Sequence, residues 1–174
     1  FSFDVPGAKF MPSFKNRLWD GKIRLFDIRN NQIYVGLSEY IYKFATAKKY
    51  TISGGVRTPL EIDNNTVKSF IDGLKSTVTI RDYQLDAVQH SIRNGRCILV
   101  SPTASGKSFV IYILIRYYQQ ILENSHILLL VPRSSLVEQM YTDFQDYGWD
   151  SEKYCHRIYA GKDKTSPKLV PIST

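Results

Sequence analysis

The stretch that most constrains this chain is ILVSPTASGKSFVIYILI, residues 98–115, where a short apolar run leads through Pro102 into Ser-Gly-Lys-Ser and then a long amphipathic segment. A strand, a tight loop and a helix in that order bring the helix's first backbone N–H groups to the loop, where an anion can be held. Gly106 lets the chain wrap closely around a phosphate, Lys107 offers charge to the terminal phosphates, and Ser108 offers a metal-facing hydroxyl. Ser101 stands where the pattern G-x-x-x-x-G-K-[ST] has its first glycine, so the loop is recognisable and irregular at once. A chance Gly-Lys-Ser on a surface would lack the strand before it and the helix after it.

The surrounding sequence keeps the same alternation. RDYQLDAVQHSIRNG (81–95) predicts a helix with Leu85, Val88 and Ile92 on one stripe and Gly95 as its stop. CILVS (97–101) predicts a strand buried on both faces, opened by Cys97 as a core residue, and the next helix turns Val110, Leu114, Tyr117 and Ile121 inward. HILLLVP (126–132), HRIYAG (156–161) and LVPIST (169–174) read as further strands. Ser135 and Glu138 predict a capping box ahead of Leu136, Met140 and Phe144. Such repetition implies an α/β domain over residues 76–174, a parallel sheet covered by helices.

Residues 1–75 read differently, as a small α+β module joined at the polar stretch Lys75–Thr79. WDGKIRLFDI (19–28) alternates at Ile23, Leu25 and, after a slip, Ile28; Asn30-Asn31 supplies a turn, and QIYVGL (32–37) returns as a second strand. Ile41, Phe44 and Ala45 recur at helical spacing, YTISGG (50–55) reads as a short strand, and Asn65 caps a helix bearing Val67, Phe70, Ile71 and Leu74. This part holds twelve basic and seven acidic groups, against eleven and nine in residues 76–174, so most of the net charge of +7 sits here. Such an excess suits a surface that meets phosphate backbones, or simply a solvated face.

Cys97 and Cys155 form no C-x-x-C pair, and His90, His126 and His156 stand without the further ligands a metal site needs. A reducing cytoplasm is the expected compartment. FVIYILIRYYQQIL is interrupted by Arg116 and two glutamines, so no membrane span is predicted, and the opening FSFDVPGAKF carries no secretory leader and suggests a fragment.

Ahead of the loop, Tyr83-Gln84 lies in a predicted helix; a glutamine amide can donate to and accept from the two edge groups of adenine, although alone it is an exposed polar residue. With SPTASGKS behind RDYQLDAV and ahead of LLLVPRSSLVEQM (128–140), the chain resembles the superfamily 2 helicases and translocases. FMPSFKNRLWDGKIRLFD followed by a hairpin is similar to the accessory domain of UvsW-type helicases of T4-like phages. The resemblance implies an incomplete RecA-like domain after the accessory module. It implies ATP and Mg2+ as cofactors, held by Gln84, Thr103, Ala104, Ser105, Gly106, Lys107 and Ser108, with Lys107 catalytic and Ser108 on the metal. It also implies a strand of DNA, branched or single, or an RNA–DNA hybrid, touched by Pro132, Arg133 and Ser134, by Gly161 and Lys162, and by Thr174. The expected protein is a monomer of the cytoplasm, the host's if viral. Two departures stand out: Ala104 where glycine is usual, and Ser108 where threonine is usual.

In the first module Lys15, Arg17, Lys22 and Arg24 surround Trp19, which is read either as a core anchor or as a platform for a base. No Asp-Glu dipeptide occurs anywhere in the 174 residues, and such a pair is what the resemblance requires for hydrolysis, so this stretch is expected to bind ATP without turning it over. A nucleotide-regulated nucleic-acid-binding module without motor activity is the alternative; a small-molecule kinase would have no use for Tyr83-Gln84 or the basic module.

Overall fold

A computed structural model of the chain describes residues 1–54, 61–122, 125–165 and 167–174. It divides into two compact units, Phe1–Arg57 and Thr58–Thr174. The division lies upstream of the Lys75–Thr79 stretch, because the helix at Asn64–Gly73 buries Val67 and Ile71 in the core of the second unit.

In the first unit the alternating segment 22–27 is shared between two partners. Strand β1 (Ser2–Asp4) pairs antiparallel with β2 (Lys22–Arg24), Phe3 opposite Ile23, and the ladder continues as Leu25 N–H donates to Phe1 C=O at 2.9 Å. Beyond Leu25 the chain changes partner: β3 (Phe26–Asp27) forms a hairpin with β4 (Gln32–Ile33). Its turn is held by Asp27, whose carboxylate accepts from Arg29 N–H at 2.9 Å and from the Asn30 amide at 2.8 Å, with Asn31 left-handed at φ 54°. The expected return strand 32–37 stops at Ile33 because β3 offers only two residues to pair with; Val35–Leu37 forms a 3-10 turn instead. A short helix α1 (Pro12–Lys15) lies between β1 and β2, and α2 (Ser38–Ala47) follows β4. No strand forms over residues 50–54: Tyr50 N–H closes the end of α2 on Ala45 C=O at 2.9 Å, so that segment serves as a helix stop, and Gly55 lies outside the described residues.

The second unit carries the parallel sheet. Helices α3 (Asn64–Gly73), α4 (Asp82–Asn94) and α5 (Lys107–Ile121) lead to β5 (Leu129–Leu130), then α6 (Ser134–Asp146), the single turn α7 (Ser151–Tyr154), β6 (Cys155–Ile158) and β7 (Val170–Ser173). Strand order is β5-β7-β6, all parallel, with Leu130 and Ile158 both opposite Ser173. Parallel neighbours need crossovers, and α6 supplies one. The core gathers Val88 and Ile92 of α4, Phe109, Tyr112 and Ile113 of α5, and Phe144 of α6. Arg116, the charge that interrupts the apolar run of α5, lies over the rings of Trp149 and Tyr112 at 5.1 and 5.8 Å from their centroids and donates to the Tyr112 hydroxyl.

Several expectations are corrected here. Residues 97–101 form no strand: among the described residues no backbone hydrogen bond reaches them, Ile98 and Val100 are 90% and 96% exposed, and Cys97 is exposed rather than in the core. A strand buried on both faces needs ladder neighbours, and the described ladder runs only through β5, β7 and β6. Ile121, the last residue of α5, is exposed, since the buried face of that helix runs through Phe109, Tyr112, Ile113 and Ile115 instead. Asn65 lies inside α3, whose N-cap is Asp63; Ser135 lies inside α6, whose N-cap is Arg133. Glu138 turns away from that helix end, because its carboxylate is taken by Arg157 at 2.5 Å and by the Tyr159 hydroxyl.

Candidate nucleotide site and nucleic-acid interface

The loop between residue 101 and α5 turns through two left-handed residues. Gly106, the N-cap of α5, has φ 75°, and a side chain there would meet the Gln84 amide nitrogen at 2.4 Å. Ala104 has φ 63°, which a non-glycine residue adopts at a cost of about 1–2 kcal/mol. The departure at position 104 is therefore a strained one. Ser101 has a definite role: its hydroxyl bonds that of Ser105 across the loop, so the residue replacing glycine pins the turn from within.

Behind the loop, α4 grips it from below. Gln84 is 5% exposed; its amide nitrogen donates to Ser105 C=O at 3.0 Å and Gly106 C=O at 3.4 Å, while its oxygen accepts from Arg81 N–H at 3.0 Å. Tyr83, half exposed, also donates to Ser105 C=O at 3.0 Å and accepts from Arg81 at 3.1 Å. The amide expected to read adenine thus holds loop backbone. Lys107 folds its ammonium onto Pro102 C=O at 2.6 Å and Ser101 C=O at 3.3 Å. Ser108 shares a hydrogen bond of 2.7 Å with the Tyr147 hydroxyl, and burial raises the Tyr147 pKa against the opposing pull of that bond. Thr103 and Ala104, both exposed, border a cavity of about 730 Å³ that Gln84, Lys107, Val110 and Leu114 also line.

A second cluster follows from strand direction. In a parallel sheet all strands end on the same edge, so β5 delivers Pro132, Arg133 and Ser134, β6 leads to Gly161 and Lys162, and β7 to Thr174. Arg133 takes extended geometry as the N-cap of α6 with no side-chain cap bond, leaving first-turn N–H groups of a long helix for an anion. Gly161 is left-handed at φ 85°, and Lys162 N–H closes the turn on Tyr159 C=O. Arg157 lies over the Tyr141 ring at 4.2 Å and braces β6 to α6 through Glu138, whose carboxyl is held below its usual range by Tyr159 first and Arg157 next.

In the first unit the basic residues fall into two groups. Lys15, Arg17 and Trp19, with Lys9, border a surface pocket of about 700 Å³, and Arg17 is left-handed at φ 57°. Trp19 is half-exposed, its indole N–H held by Lys22 C=O at 2.8 Å, so it anchors a turn while leaving part of its ring open. Lys22 and Arg24 lie on β2 and are partly neutralised, Lys22 by Asp4 at 3.8 Å and Arg24 by Asp20 through two bonds of 2.5 and 3.2 Å. No ion pair engages Lys15 or Arg17 among the described residues.

Family models match parts of both units. A family model described as the res subunit of type III restriction enzymes matches residues 77–172, and one described as the N-terminal part of the DNA helicase UvsW matches residues 1–54. The ATP-dependent DNA helicase uvsW of enterobacteria phage T4 is 34% identical over 171 residues, 94% of this chain. This chain belongs to the UvsW-type superfamily 2 helicases. It spans about a third of the length of that curated relative, 34%. Two crystal structures of UvsW from bacteriophage T4 share its fold, each with a TM-score of 0.80 at 31% identity; the match covers 100% of this chain and 65% of one of them, and 99% and 37% for the other. The second unit is accordingly part of a RecA-like domain.

Two contacts of this candidate site were not foreseen from the sequence. Tyr83 entered only beside Gln84 as part of an adenine reader, not as a brace on Ser105 C=O. Tyr147 lies 39 positions from Ser108, so no local spacing joins them.

Proposed function

We propose that this chain is the nucleotide-gripping and nucleic-acid-gripping part of an ATP-dependent DNA helicase or translocase whose parent works on branched DNA or RNA–DNA hybrids. One observation carries the reading: a strained loop braced by Gln84 and Tyr83, with Lys107 and Ser108 opening a fifteen-residue helix. Such a loop presents backbone N–H groups, a mobile ammonium and a hydroxyl to one polyphosphate. Lys107 would leave the carbonyls of Ser101 and Pro102 for the terminal phosphates, and Gln84 would hold Ser105 and Gly106 in place while it does so.

The residues fit magnesium arriving with ATP. That ion keeps several waters and takes few protein groups beside substrate phosphates, which one serine hydroxyl satisfies, and the described residues hold no cluster of three His, Cys, Asp or Glu that could bind a metal by themselves. Bound with ATP, the ion would offset charge on the β- and γ-phosphates. Pro132, Arg133, Ser134, Gly161, Lys162 and Thr174 would line one strand's backbone, and Lys15, Arg17 and Trp19 would add a separate contact. Lys22 and Arg24 contribute less, since Asp4 and Asp20 already draw on their charge.

Binding of a fluorescent ATP analogue tests the reading. Lys107→Ala should weaken it about tenfold or more, the scale of a lost charge-assisted contact, and no hydrolysis should accompany binding in either protein. DNA-stimulated hydrolysis by this chain, abolished in Lys107→Ala, would overturn the claim that it binds without turnover. In the full-length parent, hydrolysis stimulated by single-stranded DNA separates a motor from a regulated binding module.

A further inference from the structure

The 2.7 Å bond between Ser108 and Tyr147 joins the hydroxyl after Lys107 to a residue outside every motif. A serine hydroxyl has one proton and two lone pairs, and it rotates to suit its surroundings. A metal takes lone pairs, so its serine ligand needs an acceptor elsewhere for the proton; outer partners of this kind set ligand orientation.

Tyr147 is placed where it could be such an acceptor, since either hydroxyl of the pair can donate. Its ring meets Phe109 edge-on at 4.9 Å and Tyr112 at 5.4 Å, both buried, and its backbone N–H closes the end of α6 on Asp143 C=O at 2.9 Å. The phenol oxygen is therefore held between α5 and the end of α6, beside the Ser108 hydroxyl. The residue it holds is a serine, which lacks the β-branch that threonine carries. A β-branched threonine restricts its own χ1, whereas a serine has three staggered wells open to it.

Resting on the nucleotide reading above, we propose that Tyr147 is a positioning residue for the metal-facing hydroxyl of Ser108: its phenol oxygen takes the serine proton, leaves the serine lone pairs for magnesium, and supplies the rotamer restriction that threonine would carry by itself. Losing that restriction frees a three-well rotor and one hydrogen bond, which predicts about a three- to tenfold rise in the magnesium concentration needed for tight nucleotide binding.

The test measures binding of a fluorescent ATP analogue to the chain across a magnesium titration and in EDTA. Tyr147→Phe, which keeps the ring packing, should shift the magnesium midpoint by that factor while leaving the EDTA affinity and the melting temperature close to wild type. Ser108→Thr should restore the midpoint in the Tyr147→Phe background. An unshifted midpoint in Tyr147→Phe, an equal loss in EDTA, or a shift that persists unchanged in a Ser108→Ala background would each overturn the inference while leaving the nucleotide reading standing. If Tyr147→Phe fails to fold, Ser108→Thr alone decides: a tightening of magnesium-dependent binding as large as threefold would show that the serine was never held. Wild-type protein that binds no nucleotide under any condition would overturn both.

Discussion

The two units bury very different amounts of apolar surface. Among the described residues the first has only Ala8 and Ala45 as buried hydrophobic residues, while Phe3, Phe10, Leu18, Ile28 and Tyr34 are exposed; the second collects sixteen described residues into one core. The first unit is assembled from two-stranded ladders and turns, which are marginal alone in water. The second is closed by aromatic side chains from α5 and α6. Apolar burial in this chain is thus concentrated in the unit that carries the loop at residues 106–108 and is thin in the basic first unit.

Truncating one residue in each unit would break this comparison most directly. Phe144→Ala removes a ring with no exposed surface, in contact with Tyr112 and Trp149, and should cost about 3–5 kcal/mol. Phe26→Ala, 39% exposed on β3, should cost less than about 1 kcal/mol. Denaturant unfolding followed by Trp149 fluorescence checks the first, and Trp19 fluorescence the second. Equal costs would show that the first unit has a core of its own.

Within the second unit the loop is the next place to press. Gln84→Ala leaves the carbonyls of Ser105 and Gly106 without their buried donor and should cost about 1–3 kcal/mol. Nucleotide affinity should fall with it, since the carbonyls of Gln84's partners belong to the loop that faces phosphate. Thermal melting and analogue binding together check this; a variant with wild-type stability and weakened binding would instead make Gln84 a direct adenine contact. Ala104→Gly acts in the other direction. Relief of the left-handed alanine exceeds the entropy that glycine adds to the unfolded chain, so a gain of about 0.5–1 kcal/mol is expected, read as a raised melting temperature.

The core of the second unit was legible because α4 and α6 carry apolar residues at helical period, and the parallel sheet followed from strand–helix alternation. Strand ends were less legible. QIYVGL alternates well enough to continue, yet its partner changes at Leu25, and that change depends on β1, a three-residue strand some twenty positions upstream. Residues 97–101 show the converse: an apolar run states that cover is wanted, not that cover is present. In the candidate site, the placement of Gly106, Lys107 and Ser108 at a helix start was legible because their spacing is local. The bracing of the loop by Tyr83 and the hold of Tyr147 on Ser108 depend on packing between helices, which no spacing encodes. Capping was misread at both Asn65 and Ser135, because a good capping residue one or two positions late is still a polar residue in a first turn.

The smallest expected effect lies in the first unit, at Asp20. Its carboxyl is drawn down to about 2, chiefly by the Arg24 guanidinium; desolvation opposes this, and Lys22 N–H adds a lesser downward pull. A carboxyl whose folded pKa is depressed stabilises the fold above its unfolded value and loses that contribution as pH falls through the folded one. The window here runs from near 4 down to about 2. Both side chains are about half exposed, so salt screens the pair and the contribution is modest. Trp19 reports on it, because its indole N–H is held by Lys22 C=O while Lys22 N–H donates to Asp20. Acidification through that window should change Trp19 fluorescence in wild-type protein at low salt, and Asp20→Asn should remove the change. A response that survives in Asp20→Asn would mean that the turn is held by something other than this pair, and that the basic face of the first unit is firmer than its thin core implies.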